Sequence, residues 1–197
     1  MTSPHNNQQE LNLPSDVAKW FDSEAQAFFQ QLKLEKNDAI LDFGSRVGNY
    51  AIPAAMFVGP DGKVYALDVD AGALDELVRR AQFYELKNIE TILTTGEVTI
   101  PLGDNSVDFI LFFDVLYSLC RRQGVQAYTE LLKEFHRVLK PKGRLAIFFG
   151  HYRELNLTLE ELLDMSKAFF RYNGVFTAKM LHWDSFAHEK VHHFTKE

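Results

Sequence analysis

Short apolar runs alternate with amphipathic stretches along most of this chain, and the alternation predicts strands and helices in turn. Apolar runs at 39–43, 63–67, 89–94 and 107–113, with a turn and strand inside 139–149, read as five strands. Between them, helical spacing predicts helices over 49–58, 71–84 and about 125–139. The second of these carries Leu74, Leu77, Val78, Ala81 and Tyr84 on one face; the third carries Val125, Tyr128, Leu131, Leu132, Phe135, Val138 and Leu139. Upstream, Pro14-Ser15-Asp16 starts a helix over 16–33, with Val17, Trp20, Phe21, Phe28, Phe29 and Leu32 near the helical period. Downstream, Thr158-Leu159-Glu160-Glu161 opens a helix to about 171 as a capping box, and strands over 174–182 and 189–195 follow. Two strands with no helix between them are antiparallel neighbours.

Alternating strands and helices define an α/β class with a mostly parallel sheet. The size and composition agree: 197 residues, 46% hydrophobic and 13% aromatic, suit one domain with a sizeable core. We place a disordered polar tail at 1–13 and a single domain over 14–197. Its parts are an N-terminal helix at 14–36, a core at 38–150, and a C-terminal helix with a strand pair at 151–197. The single Cys120 excludes an internal disulfide framework. The polar N-terminus is no signal peptide, and no apolar run reaches the roughly 20 residues of a membrane span, so a cytoplasmic protein is expected. A net charge of -6 gives no general attraction to phosphate backbones, so no nucleic-acid partner is expected.

The chemistry concentrates where the first strand runs into glycines, Asp42-Phe43-Gly44-Ser45-Arg46-Val47-Gly48. Such a loop turns backbone N–H groups at a helix start toward a ligand. The dinucleotide spacing Gly-x-Gly-x-x-Gly is absent, because Arg46 and Asn49 stand where its later glycines belong. At the tip of the second strand Asp68 can accept both hydroxyls of a ribose, while Asp70 is the better cap for the next helix.

With an acid two residues ahead of its first glycine, the loop resembles motif I of the class I S-adenosylmethionine-dependent methyltransferases, with arginine in place of the middle glycine. Two further stretches resemble the same family: Asp104-Asn105-Ser106-Val107-Asp108 before the fourth strand, and Glu134-Phe135-His136-Arg137-Val138-Leu139-Lys140-Pro141-Lys142-Gly143-Arg144-Leu145 into the fifth. The resemblance covers roughly 38–150 and is nearest to the ubiquinone and menaquinone biosynthesis type.

It implies a Rossmann-like, doubly wound, three-layer αβα fold. The resemblance implies a seven-stranded sheet of order 3-2-1-4-5-7-6 with its last strand antiparallel. It implies S-adenosyl-L-methionine as cofactor, S-adenosyl-L-homocysteine as product, and a cofactor site built from four stretches of the chain. These are Asp42, Gly44, Ser45, Arg46 and Gly48 of the loop; Asp68 and Val69; Glu97 at the adenine amino group; Val98 on the adenine ring; and Phe113. The first helix of this family partly covers the cleft, which brings Trp20 or Phe21 near the site.

Methyl transfer from a sulfonium needs alignment more than a protein nucleophile. A base, where the acceptor requires one, belongs on the loops after the fourth and fifth strands, where Asp114, Tyr117 and His151 stand. Asp114-Val115-Leu116-Tyr117 fills the slot of the amino-methylating Asn/Asp-Pro-Pro-Tyr motif, but both prolines are missing. His182, His188, His192 and His193 lie close in sequence, yet adjacent strand residues point to opposite faces, so no metal site is expected. Three readings follow in order. The first is a small-molecule methyltransferase, monomeric or homodimeric; the second is a non-catalytic binding protein, for which Arg46 speaks; the third is a protein or nucleic-acid methyltransferase.

Overall fold

A computed structural model describes residues 11–197. Most of the tail expected at 1–13 lies outside these residues, and Leu13, at its end, packs on the core.

The centre of the molecule is β1 (Ala39–Phe43), parallel to β2 (Lys63–Asp68) on one side and to β4 (Val107–Phe113) on the other. Helices cover both faces of these strands, which explains why they are continuous apolar runs instead of alternating ones. Beyond β2 lies β3 (Ile89–Leu93); beyond β4 lies β5 (Leu139–Phe148), also parallel. Leu139, expected at the end of a helix, instead starts β5 opposite Val107. The last two strands, β6 (Arg171–His182) and β7 (Ser185–Thr195), form a hairpin that pairs antiparallel with β5 through β7. The complete order is β3-β2-β1-β4-β5-β7-β6, as expected.

Two hydrophobic clusters lie against the two faces of this sheet. On one face sit α1 (Ser15–Lys19), a π-helical turn (Trp20–Glu24) and α2 (Ala25–Gln31), with α3 (Ala51–Val58) and α4 (Ala71–Phe83). The expected helix over 16–33 therefore exists, but a π turn sits in its middle, where Trp20 and Phe21 both turn inward and are buried. α3 buries residues all round, including Pro53 in its first turn, where a missing N–H costs least. α4 starts at Asp70, whose side chain accepts from the Ala73 N–H as a cap. Its buried face is Leu74, Leu77 and Ala81; Val78 faces outward, 38% exposed.

The other face carries α5 (Leu116–Gln123), α6 (Gln126–Val138) and α7 (Leu159–Lys167). α6 has the expected stripe, with Tyr128, Leu131, Leu132, Phe135 and Val138 buried. α5 was not expected: it is two turns long and buries only Leu116, Leu119 and Cys120, too few apolar positions to reveal a period. α7 begins with the expected capping box between Thr158 and Glu161, but ends at Lys167 instead of about 171. The reason is tertiary, because from Arg171 onward the backbone pairs with β7, starting opposite Thr195. β6 likewise begins three residues before the expected 174, since Gly174, at φ +122°, makes an irregularity inside the strand and not a turn before it.

Candidate active site

Every parallel strand delivers its carboxyl end to one edge of the sheet, and there the loops enclose a cavity of about 670 Å³. On the β1 side its wall is Gly44, Ser45 and Arg46. Gly44 has φ +83°, and a Cβ added there would stand 2.4 Å from Val115 Cγ2, so both conformation and space require glycine. Gly48, also at φ +83°, faces away from the cavity, where a Cβ would meet Leu77 of α4 at 2.7 Å. Its service to the site is indirect, through close loop–helix packing.

Asp68, at the end of β2, lines the cavity but is already engaged with the backbone. Its Oδ2 accepts from the Arg46 N–H at 2.7 Å; its Oδ1 accepts from the N–H groups of Val69 at 2.7 Å and Asp70 at 3.0 Å. The carboxylate thus ties the glycine loop to the β2 tip and has lone pairs left for a ligand. Val69, Glu97 and Phe113 also line the cavity. Val98 does not; it packs on the hydrophobic cluster beneath α5 and α6. Ser45 Oγ is buried at the wall without a hydrogen-bond partner, a group suited to a polar ligand.

Asp42 stands behind the loop, 4% exposed. Burial and the neighbouring Asp68 push its carboxyl up to about 7, against a hydrogen bond from the Ala51 N–H. A carboxyl raised on folding contributes stability that is fully present below the unfolded value, near 4, and is lost as pH rises through about 7. Asp42→Asn is therefore expected to flatten this slope. Thermal melts across about pH 5 to 8 should show wild type losing stability relative to the variant as pH rises, and parallel curves would refute the titration.

The opposite wall comes from the ends of β4, β5 and β6. Asp114, at φ +58°, follows β4; His151, at φ +56°, follows β5; His182 ends β6. Asp114 Oδ2 is 3.1 Å from His182 Nε2, and Asp114 Oδ1 is 3.9 Å from His151 Nε2. Burial raises the Asp114 carboxyl, with the two histidines and Arg46 pulling the other way. Tyr117 stands beside His151, ring centroids 6.1 Å apart. The expected trio Asp114, Tyr117 and His151 is therefore brought together, while His182 leaves its sequence neighbours to join it. His192 is buried beside Tyr172 and His193 packs against Phe176 on the other face, so these two share no site. Burial pushes His192 down to about 4.

The turn of the β6–β7 hairpin closes the cavity above the glycine loop. Asn49 Nδ2 donates to Trp183 O at 2.9 Å and to Asp184 Oδ1 at 3.1 Å, and Asn49 Oδ1 accepts from Arg80 at 3.0 Å. The Trp183 ring lies over the Arg46 guanidinium at 4.3 Å, so the arginine side chain reaches across the mouth to the hairpin. Trp183 and His182 could not be placed at the site from the sequence, because their position depends on a hairpin that folds back over more than a hundred residues to meet Asn49 beside the glycine loop. Trp20 and Phe21 are not in the wall. Trp20 is fully buried one layer behind, its indole N–H donating to Asn49 O at 2.7 Å and its ring packing on Tyr50, which does line the cavity.

A 3-2-1-4-5-7-6 sheet with a glycine loop after its first strand and an acid at the tip of its second defines a Rossmann-like methyltransferase. Residues 41–147 match the family described as "Methyltransferase domain". The chain belongs to this family of S-adenosylmethionine-dependent methyltransferases. A demethylmenaquinone methyltransferase of Symbiobacterium thermophilum is 28% identical over 138 residues, 70% of this chain and 52% of the relative. Another from Geobacillus stearothermophilus is 30% identical over 114 residues, 58% of this chain and 46% of the relative. The chain thus spans about half the length of these curated relatives. A crystal structure of a SAM-dependent methyltransferase from Aquifex aeolicus superposes with a TM-score of 0.71 at 25% identity, covering 93% of this chain and 98% of that one. Among the described residues no helix is long and apolar enough to cross a membrane.

Proposed function

We propose that this protein transfers a methyl group from S-adenosylmethionine to a small-molecule acceptor. The observation that carries the reading is that one cavity has the glycine loop and Asp68 at one end and Asp114, Tyr117 and His151 at the other. Its volume, about 670 Å³, is in the range of small-molecule sites. The unpartnered Ser45 Oγ, the free lone pairs of Asp68 and the close-packed Gly44 suit a polar, nucleoside-bearing ligand on the loop side. When bound there, S-adenosylmethionine supplies a methyl group already activated by its positive sulfur, so no protein nucleophile is required.

The residues assigned to the cofactor are Gly44, Ser45, Arg46, Asp68, Val69, Glu97 and Phe113, with Asp42 and Gly48 shaping the loop from behind. Asp114, Tyr117 and His151 face the acceptor and fix its orientation. The relatives named for demethylmenaquinone point to an apolar ring system, and Phe113, Val115, Leu119, Phe148 and Leu181 offer it apolar wall.

Arg46 supports a second reading, a binding protein without turnover. At φ +46° it holds a backbone conformation that the family gives to glycine, and its guanidinium occupies the mouth against Trp183. Calorimetric titration with S-adenosylmethionine separates the two. The first reading expects saturable binding by wild type and equal or moderately weaker binding by Arg46→Gly, whose guanidinium no longer meets the cofactor carboxylate. No heat from wild type with tight binding by Arg46→Gly would establish the second instead.

A further inference from the structure

We propose that Asp114, His151 and His182 form a binding site for one divalent first-row transition-metal ion on the acceptor side of the cavity. One donor atom from each of the three residues can be chosen so that all lie within 4.8 Å of one another. Around a tetrahedral ion with bonds of about 2.0–2.2 Å, donors stand roughly 3.3–3.6 Å apart, so small side-chain rotations complete the geometry.

Three features separate this cluster from an ordinary carboxylate–imidazole contact. Asp114 Oδ1 and His182 Nε2 are buried and have no hydrogen-bond partner, even though Asp114 Oδ2 and His182 Nε2 are only 3.1 Å apart. The two groups therefore approach each other without the alignment of a hydrogen bond, leaving buried lone pairs that a cation satisfies. Second, both histidines aim Nε2 at Asp114 and turn Nδ1 to another carboxylate: His151 to Glu154 at 3.0 Å and His182 to Glu189 at 3.8 Å. The hydrogen bond to Glu154 fixes on His151 the tautomer that leaves Nε2 free to ligate, an arrangement characteristic of metal-bound histidine, while Glu189 faces His182 across a gap longer than a hydrogen bond. Third, the ligands come from the ends of three different strands, β4, β5 and β6, with Asp114 and His151 both in the left-handed region. Non-glycine residues there cost energy that the surrounding structure must offset, and such residues concentrate at functional sites.

Two imidazoles and one carboxylate suit zinc, iron, cobalt or nickel better than magnesium or calcium, which take oxygen ligands. Three protein ligands leave at least one position open, and His151, His182 and Asp114 all line the cavity. The open position takes an oxygen of the acceptor, which makes a hydroxyl, enol or carbonyl compound the substrate class. That role rests on the methyltransferase reading; binding of the ion does not.

The test is titration of the chelator-treated, tag-free full chain with Co²⁺, followed by visible absorption, alongside His182→Gln, Glu154→Gln and His188→Gln. Expected is one equivalent bound by wild type with intense four- or five-coordinate bands. Affinity should fall at least 100-fold in His182→Gln and about 10- to 100-fold in Glu154→Gln, the range for loss of a carboxylate hydrogen-bonded behind a ligand. His188→Gln, outside the cluster, should bind as wild type does. Circular dichroism and S-adenosylmethionine titration of each variant report folding and the loop end of the cavity independently. A folded wild type that takes up no cobalt, or a His182→Gln variant that binds it equally well, overturns the site. Cobalt uptake lost in His182→Gln while wild type ignores S-adenosylmethionine upholds the metal site and removes the methyltransferase reading alone.

Discussion

Asp68→Ala is expected to lower cofactor affinity at least tenfold and to destabilise the fold as well. The sequence alone places this acid at a strand tip, where it has little packing to lose. In the structure it is 7% exposed and accepts from three backbone N–H groups, those of Arg46, Val69 and Asp70. Hydrogen bonds to a charged acceptor are each worth about 1.5–3 kcal/mol, and N–H groups left buried without a partner add to the cost. Some of these groups will recruit water, so a net loss of about 2–4 kcal/mol is expected, together with a looser glycine loop. Thermal melting combined with S-adenosylmethionine titration reads both effects. Asp68→Asn, which keeps one acceptor, should fall between wild type and alanine in each. A folded Asp68→Ala protein with wild-type affinity would remove Asp68 from the cofactor site.

Trp20→Ala should have the largest effect on stability. The side chain is fully buried, packs on Phe28, Phe29, Tyr50 and Phe186, and donates its indole N–H to Asn49 O. Truncating a buried tryptophan costs about 3–5 kcal/mol, here with an unsatisfied carbonyl added. For a domain of this size the melting temperature should drop by roughly 6–20 °C. Because Asn49 also holds the hairpin turn, Trp20→Phe provides the more specific reading: most of the packing remains, the N–H is gone, and S-adenosylmethionine affinity should fall with only a modest change in melting temperature. Equal affinity in wild type and Trp20→Phe would show that Asn49 holds the turn without help from the indole.

What the sequence disclosed follows the range of the forces involved. β1, β2 and β4 are legible because strands covered on both faces must be apolar throughout, and the Asp70 and Thr158 caps because they act within one turn of their own helix. The loop half of the site is compact in sequence, from Asp42 to Gly48 with Asp68 close behind, and a short motif can carry it. The acceptor half is not. His182 reaches Asp114 only through the β6–β7 hairpin, and in sequence it looks like one of several histidines near the end of the chain. Val98 illustrates the same limit from the other side: a position transferred from a family pattern is here partly buried against the cluster beneath α5 and α6, outside the cavity lining. The early end of α7 was equally hidden, since local periodicity could not foresee that the backbone from Arg171 would be claimed by β7.

The hairpin also imposes an order of assembly on a chain made from its N-terminus. β6 is synthesised first, but among the described residues its one sheet partner is β7, which itself lies between β6 and β5. Until Ser185–Thr195 has emerged, β5 keeps an open edge and β6 has nothing to pair with. Docking must bring the two strands in together, and the contact of Asn49 with Trp183, 134 residues apart, forms in that same event. A nascent chain can therefore complete the glycine loop and still have no enclosed cavity, so the wall bearing His182 reaches the growing domain as a single late-folding unit.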